Sequence, residues 1–293
     1  MNNWKSYHIF IRDSKQQEDL IIKINDYFQI RREEKSVQKW FYIRYWEGGP
    51  HIRVRYVRNN QIVDEQFQEF IQSELVSYPS IKLSKKDFYA GIDVKLEGFE
   101  QELADFPWHA EKTIKEIAYL PELERYGGPE NIQLSEELFF FSSLMAAKII
   151  SITRNSLQTR LLMITYILNH LMLNLNIEGK YQINWLEFLE YCYDFWEATG
   201  YSKAELNPHL IVSKLVSNNL KFKQLIELAG IEEYLISFKK MLLQLQANDL
   251  SVSSFLSILF SQFHMTFNRL GLEPTIEQFT YKALEGVIIN ERI

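Results

Sequence analysis

"KWFYIRYWEGGPHIRVRY", residues 39–56, decides the fold of the N-terminal part. The stretch is dense in aromatic and β-branched residues and is broken once, at Gly48-Gly49-Pro50. That is the composition of two strands joined by a tight turn. Side chains alternate faces along a strand. His51, Arg53 and Arg55 therefore share one face of the second strand, and Ile52, Val54 and Tyr56 the other. In the first strand Trp40, Tyr42, Arg44 and Trp46 lie on one side, with Phe41, Ile43 and Tyr45 opposite. The pattern admits two readings. Alternation of this kind is what any hairpin with one face in water shows. The second reading is an anion pocket, in which Arg53 and Arg55, with Arg44 near the turn, present forked donors to a carboxylate.

Outward from the hairpin, "WKSYHIFI" (4–11) reads as a strand and 15–30 as a helix striped by Leu20, Ile21, Ile24, Tyr27 and Phe28. A helix is predicted over 60–77 and a strand over 86–96, "KDFYAGIDVKL". From about residue 133 the texture becomes helical, through 133–152, 157–176, 184–198, 207–226, 231–246 and 251–270, with Asn184 and Ser251 as caps. No repeat or Pro/Gly/Ser linker separates the two textures. The expectation is an α+β chain: an N-terminal mixed β-sheet layer with helices (1–132), then a mainly helical half (133–293), packed as a single domain over 1–293.

The chain has 293 residues, 46% of them hydrophobic, enough for a large core. Its net charge of −6 argues against a binder that neutralises nucleic-acid phosphates directly. A basic strand face in an acidic protein suits a small, local anion. The single cysteine, Cys192, excludes intrachain disulfides and cysteine zinc sites, and its aromatic surroundings predict a buried thiol. The six histidines show no metal-ligand spacing, so no metal and no cofactor are expected. Neither phosphate-cradling glycine loops nor a G-x-S-x-G elbow occurs. With neither a signal peptide nor a membrane-spanning apolar run, a cytoplasmic protein is expected.

Two further segments carry chemistry-bearing residues. In "YLPELERYGGPENI" (119–132), Glu122 and Arg125 precede a second Gly-Gly-Pro turn. Read alone it is a charged surface turn. In "SILFSQFHMTFNRLG" (257–271), Ser261, His264 and Asn268 share a helix face among Phe260, Phe263 and Phe267. Alone, His264 reads as a core histidine, and Arg269 beside Gly271 as a complement to the helix C-terminus.

In order and approximate spacing, "WKSYHIFI", "WFYIRYWEGGPHIRVRY", "PELERYGGPENI…SEELFFFSS" and "FHMTFNRLG" resemble the elimination domain of class I lanthipeptide dehydratases. That family is also called SpaB C-terminal or thiopeptide-type bacteriocin biosynthesis domains. The resemblance covers almost the whole chain. It implies removal of glutamate from glutamylated Ser or Thr of a precursor peptide, leaving dehydroalanine or dehydrobutyrine. A separate subunit would perform the tRNA-dependent glutamylation, and azole-forming enzymes are further candidate partners. The family's functional arginines fall on Arg53, Arg55 and Arg125, its glutamate on Glu122 and its essential histidine on His264. Arg44, His51, Asn268 and Arg269 are the substrate-binding candidates. The chain departs from the pattern at Ser142-Ser143, where many relatives read Asp-Ser.

The resemblance leaves two rivals. Pyridine synthases of thiopeptide pathways share the domain and join two dehydroalanines by a formal [4+2] cycloaddition, expelling the leader peptide. They depart from the eliminating His/Arg set, which this chain keeps. The other rival is a non-catalytic subunit that captures the precursor peptide on an exposed strand edge.

Overall fold

The computed structural model describes residues 4–90, 106–154, 156–175, 181–199 and 231–291. Strand β1 (Trp4–Phe10) leads into helix α1 (Ser14–Glu33), whose N-cap Asp13 accepts from the Gln16 amide. The hairpin forms as the alternation requires: β2 (Val37–Tyr45) and β3 (His51–Arg58). Helix α2 (Ile62–Ser77), a short α3 (Lys85–Ala90) and β4 (Ile114–Glu116) complete the first part. The strand order is β2-β3-β1-β4. The sheet is antiparallel at all three of its pairings, so the expected mixed sheet is corrected. A second correction concerns 86–96. Residues 86–90 are helical, because Ser84 caps the turn by accepting from the Asp87 amide and donating to the Asp87 carboxylate. Residues 91–96, and the helix expected over 207–226, lie outside the described residues.

The helical half comprises α4 (Ile132–Ile152), α5 (Leu157–Asn174), α6 (Trp185–Ala198), α7 (Ile231–Ala247), α8 (Val252–Leu270) and α9 (Pro274–Glu291). Asn184 and Ser251 cap α6 and α8 as expected, accepting from Leu186 and Ser254 amides. The strand β4 and helix α9 were not foreseen. One core cluster runs from the sheet through the helices, so the α+β chain packs as one body.

The register fixes which side chains meet. Trp40, Tyr42 and Arg44 lie opposite Tyr56, Val54 and Ile52. This sheet face is covered by α1 and α2, with Phe28 stacked on Trp40 at 5.1 Å and close to Phe67 at 5.1 Å. The other face carries Phe41, Ile43 and Tyr45 opposite Arg55, Arg53 and His51. Phe41 there meets Trp4 at 5.0 Å and Phe139 of α4 at 5.3 Å.

Helix α8 closes against the outer edge of β2. Asn268 Oδ1 accepts from the Arg44 amide and its Nδ2 donates to the Arg44 carbonyl, both at 2.9 Å. Two residues back along β2, the Tyr42 amide donates to Ser143 Oγ of α4. The helix ends at Gly271, whose φ of +69° is the left-handed conformation of a C-cap. A Cβ at that position would stand 2.9 Å from Arg44 Cζ. Gly271→Ala should therefore lower stability by about 1–3 kcal/mol, from backbone strain and the displaced guanidinium together. Urea unfolding at constant m-value measures it, and an unchanged midpoint would show that the turn relaxes freely.

Candidate active site

Between the arginine face of the sheet, the 119–126 segment, α4 and α8 lies a small, partly open cleft. Phe41, Arg55, Tyr119, Glu122, Met265 and Arg269 are among its walls. Arg55 enters from β3, its guanidinium 4.4 Å above the Tyr119 ring and 5.4 Å from that of Phe41. Its Nε is inaccessible and bonded to nothing. Arg269 enters from α8 and is buried; its Nε donates to Ser143 Oγ, its Nη1 to the Met265 carbonyl, and its Nη2 has no partner. Burial lowers both pKa values to about 10, so both remain charged at neutral pH. Among the described residues, neither belongs to an ion pair. Two cations held on aromatic faces with no ion-pair partner among the described residues, Glu122 acting on Arg55 only at longer range, make a site that a further carboxylate would complete.

The second group adjoins the cleft. Tyr119, Glu122 and Arg125 come from one irregular stretch that tightens into a 3-10 turn at Glu124–Tyr126. Gly127, at φ +80°, caps that turn against Ile258 of α8. Arg125 Nη1 donates to Glu122 at 3.0 Å and its Nε to Ser261 Oγ at 3.1 Å. Burial works against its charge, but Tyr126, Glu122 and Glu277 outweigh it and the pKa rises. One turn beyond Ser261, His264 Nδ1 lies 2.9 Å from Glu277 Oε2 of α9. Glu277 is fully buried, and its other oxygen accepts from Tyr281 Oη at 2.6 Å. The imidazole packs 5.0 Å from Trp196 yet keeps 22% of its side-chain surface exposed. A carboxylate on Nδ1 fixes the ring and leaves Nε2 free to accept or donate a proton.

The sequence-derived candidates thus divide. Arg55, Glu122 and Arg269 line the cleft; Arg125 is bonded to its rim and His264 sits on the adjoining helical turn. Arg53 stands next to Arg55 on the same face, its guanidinium 3.3 Å from the Tyr45 ring centre and its Nε donating to His51 Nε2 at 3.1 Å. His51 is buried and donates from Nδ1 to the Gly49 carbonyl, so it serves to orient Arg53. Arg44 does not join Arg53 and Arg55. Its register with Ile52 puts it on the opposite sheet face, where it bonds Gln17 Oε1 and the Arg269 carbonyl. Asn268 is spent on the Arg44 backbone. Glu277 was missed because helix α9 was not foreseen, although Pro274 at the first helical position and Glu277 and Tyr281 four apart were available signals. Ser142, the departure from the family pattern, lies 3.4 Å from Thr266 Oγ1, while Ser143 anchors Arg269. Cys192 is buried, which raises its thiol pKa, as a structural cysteine requires. Among the described residues no His/Cys/Asp/Glu group could hold a metal, and no helix is long and apolar enough to cross a membrane.

Comparison with known proteins places this geometry. The family model for the lantibiotic biosynthesis dehydratase C-terminal domain matches residues 4–288, and the chain belongs to that family. The fold is that of the tRNA-dependent lantibiotic dehydratase MibB from Microbispora sp. 107891: TM-score 0.64 and 19% identity, covering 99% of this chain and 28% of that one. The chain thus spans little more than a quarter of MibB. The pyridine synthase TbtD from thiomuracin biosynthesis also has TM-score 0.64, at 14% identity, covering 98% of each chain. TsrL aligns at TM-score 0.53 and 15% identity, over 99% of this chain and 96% of its own. Comparison with curated proteins found no match.

The histidines of the arginine face give a pH prediction. Burial first, then neighbouring arginines, pushes His8 down to about 3 and His51 down to about 4. The ordinary imidazole value is about 6.5. Within that window the unfolded chain binds more protons, so stability should fall as pH drops from about 6.5 to about 4. Denaturant titrations across that range should show the slope, and His8→Asn with His51→Asn should flatten it. An unchanged slope in the double variant would assign the pH dependence to other groups.

Proposed function

We propose that this chain removes glutamate from glutamylated serine and threonine side chains of a ribosomally made precursor peptide, leaving dehydroalanine and dehydrobutyrine. The observation that carries the reading is the Arg55–Arg269 pair, without an ion-pair partner among the described residues, together with a histidine–carboxylate dyad whose histidine shares helix α8 with Arg269 and which Arg125 links to the cleft. A peptide Cα–H is a poor acid, so its removal needs a positioned base and stabilisation of enolate-like charge. His264 Nε2 takes the Cα proton, with Glu277 holding the imidazolium that results. The C–H electron pair becomes the Cα=Cβ bond, the Cβ–O bond breaks, and its pair departs on the glutamate carboxylate. Arg55 and Arg269 hold that glutamate, Arg53 and Arg125 flank it, and Glu122 orients Arg125. The family supports a role in peptide modification, and the acidic composition suits a partner subunit that handles the glutamyl-tRNA. Its place of action would be the cytoplasm, with azole-forming enzymes as further candidate partners.

A second reading is pyridine formation by [4+2] cycloaddition, favoured by the fold match to TbtD over 98% of both chains. That reaction, joining two dehydroalanines, expels no glutamate and gives the Arg55–Arg269 pair no carboxylate to hold. A non-catalytic peptide-binding subunit, in turn, has no use for a histidine locked by a buried glutamate.

Purified protein offered a glutamylated precursor should release glutamate, read by peptide mass. Leader release with ring formation from a dehydrated azole-containing peptide would favour the second reading instead. His264→Ala should stall at the glutamylated peptide while melting within a few degrees of wild type. Arg55→Lys should slow turnover by about tenfold or more, because a lysine keeps the charge but not the planar fork. A destabilised but fully eliminating His264 variant would return that residue to the core.

A further inference from the structure

The two edges of the sheet are treated differently. The β2 edge is sealed by Ser143 and Asn268. The β4 edge is not. The Phe10 amide donates to the Thr113 carbonyl and the Ile117 amide to the Ser6 carbonyl, with Lys115 paired to His8 between them. In an antiparallel ladder that alternation turns residues 113, 115 and 117 toward β1, and the backbone groups of Ile114 and Glu116 outward. Among the described residues no hydrogen bond engages the amide or carbonyl of either. Two donors and two acceptors thus line an open edge, a pattern complementary to extended polypeptide.

The chain beyond the edge indicates which polypeptide. Tyr119 is the third residue after Glu116, a reach of about 10 Å at most, and its ring lies 4.4 Å from the Arg55 guanidinium. Ile117 on the way, and Leu120 and Leu123 just past Tyr119, are 40%, 82% and 38% exposed. The edge therefore runs into the arginine cleft along an apolar margin. We infer that β4 is the track on which the substrate peptide is aligned: an extended segment pairs with Ile114 and Glu116, and the modified residue beside it reaches Arg55. The inference rests on the peptide-substrate reading above. It assigns recognition to backbone bonds and to apolar flanking side chains, so one site accepts different sequences around the modified residue.

Glu116 gives a clean probe, because its amide faces outward and proline there removes a donor without breaking the ladder to β1. Its carboxylate bonds Lys5, so Glu116→Ala is the control for the lost side chain. The ligand is a short fluorescein-labelled peptide whose central residue carries glutamate through an amide in place of the ester, so that it cannot eliminate. By anisotropy, Glu116→Ala should bind like wild type and Glu116→Pro about tenfold more weakly, at equal melting temperature. On the ligand side, N-methylation of alternate residues should abolish binding in one phase and leave it intact in the other, whichever variants fold. Equal affinity of the Pro and Ala variants, or indifference to N-methylation phase, would overturn the assignment. Elimination from N-acetyl-O-glutamylserine methylamide, too short to pair with the edge, should be unchanged by Glu116→Pro. Its absence alongside intact, phase-sensitive peptide binding would sink the elimination reading and leave the edge standing.

Discussion

The C-terminal turn of α8 is pinned to the edge of β2, and the site depends on that contact. Four carbonyls at the end of a helix have no partner within it. Here the Leu272 and Gly271 amides meet the Phe267 and Asn268 carbonyls, and two arginines meet the rest: Arg44 the Arg269 carbonyl and Arg160 the Leu270 carbonyl, while Arg269 itself bonds back to the Met265 carbonyl. Tyr42 adds its hydroxyl to the Arg269 carbonyl. Each bond contributes on the order of 1 kcal/mol net, and the partial negative charge of the helix end stabilises the cations around it. Arg160 alone also has a carboxylate, the bidentate Glu18 of α1. The helix carrying His264 is thereby fixed in register against the hairpin carrying Arg53 and Arg55.

That fixation explains how a charge can be buried without a partner. Arg269 draws on the helix end, a serine and the Phe139 face 4.9 Å away. Arg55 draws on Phe41 and Tyr119. Neither arrangement neutralises the charge, and the two guanidinia repel each other: Arg55 is among the groups that lower the pKa of Arg269. Such repulsion is destabilising, and on the proposed reading a bound carboxylate would relieve it.

The hairpin was legible because period-two alternation and a Gly-Gly-Pro break leave few other structures, and the shared face of Arg53 and Arg55 came with it. Arg44 was wrongly grouped with them because proximity to a turn says nothing about sheet face; the cross-strand register with Ile52 decides that, and register is a tertiary fact. Strand β4 has three residues, too few for a period. Residues 86–90, expected as part of a strand, are helical behind a Ser84 cap on the Asp87 amide, a short-range signal. Glu277 needed α9 to be seen first. Its role then depends on a contact thirteen residues away, between neighbouring helices, that no local pattern encodes.

An overall charge of −6 and a cationic cleft are compatible because the two act over different distances. Surface carboxylates are screened beyond about 10 Å in ordinary salt. The cleft arginines act over a few ångströms, in surroundings from which aromatic rings exclude water. The acidic surface would repel a nucleic acid, whereas on the proposed reading a single carboxylate tethered to a peptide would enter under the short-range field of Arg55 and Arg269. Tethering would also supply what the weak long-range field cannot, since a segment aligned on the protein would present its carboxylate at high local concentration. The division arises from the sequence itself, in which acidic residues outnumber basic ones overall, while arginines occupy the inward positions of one strand and one helix end.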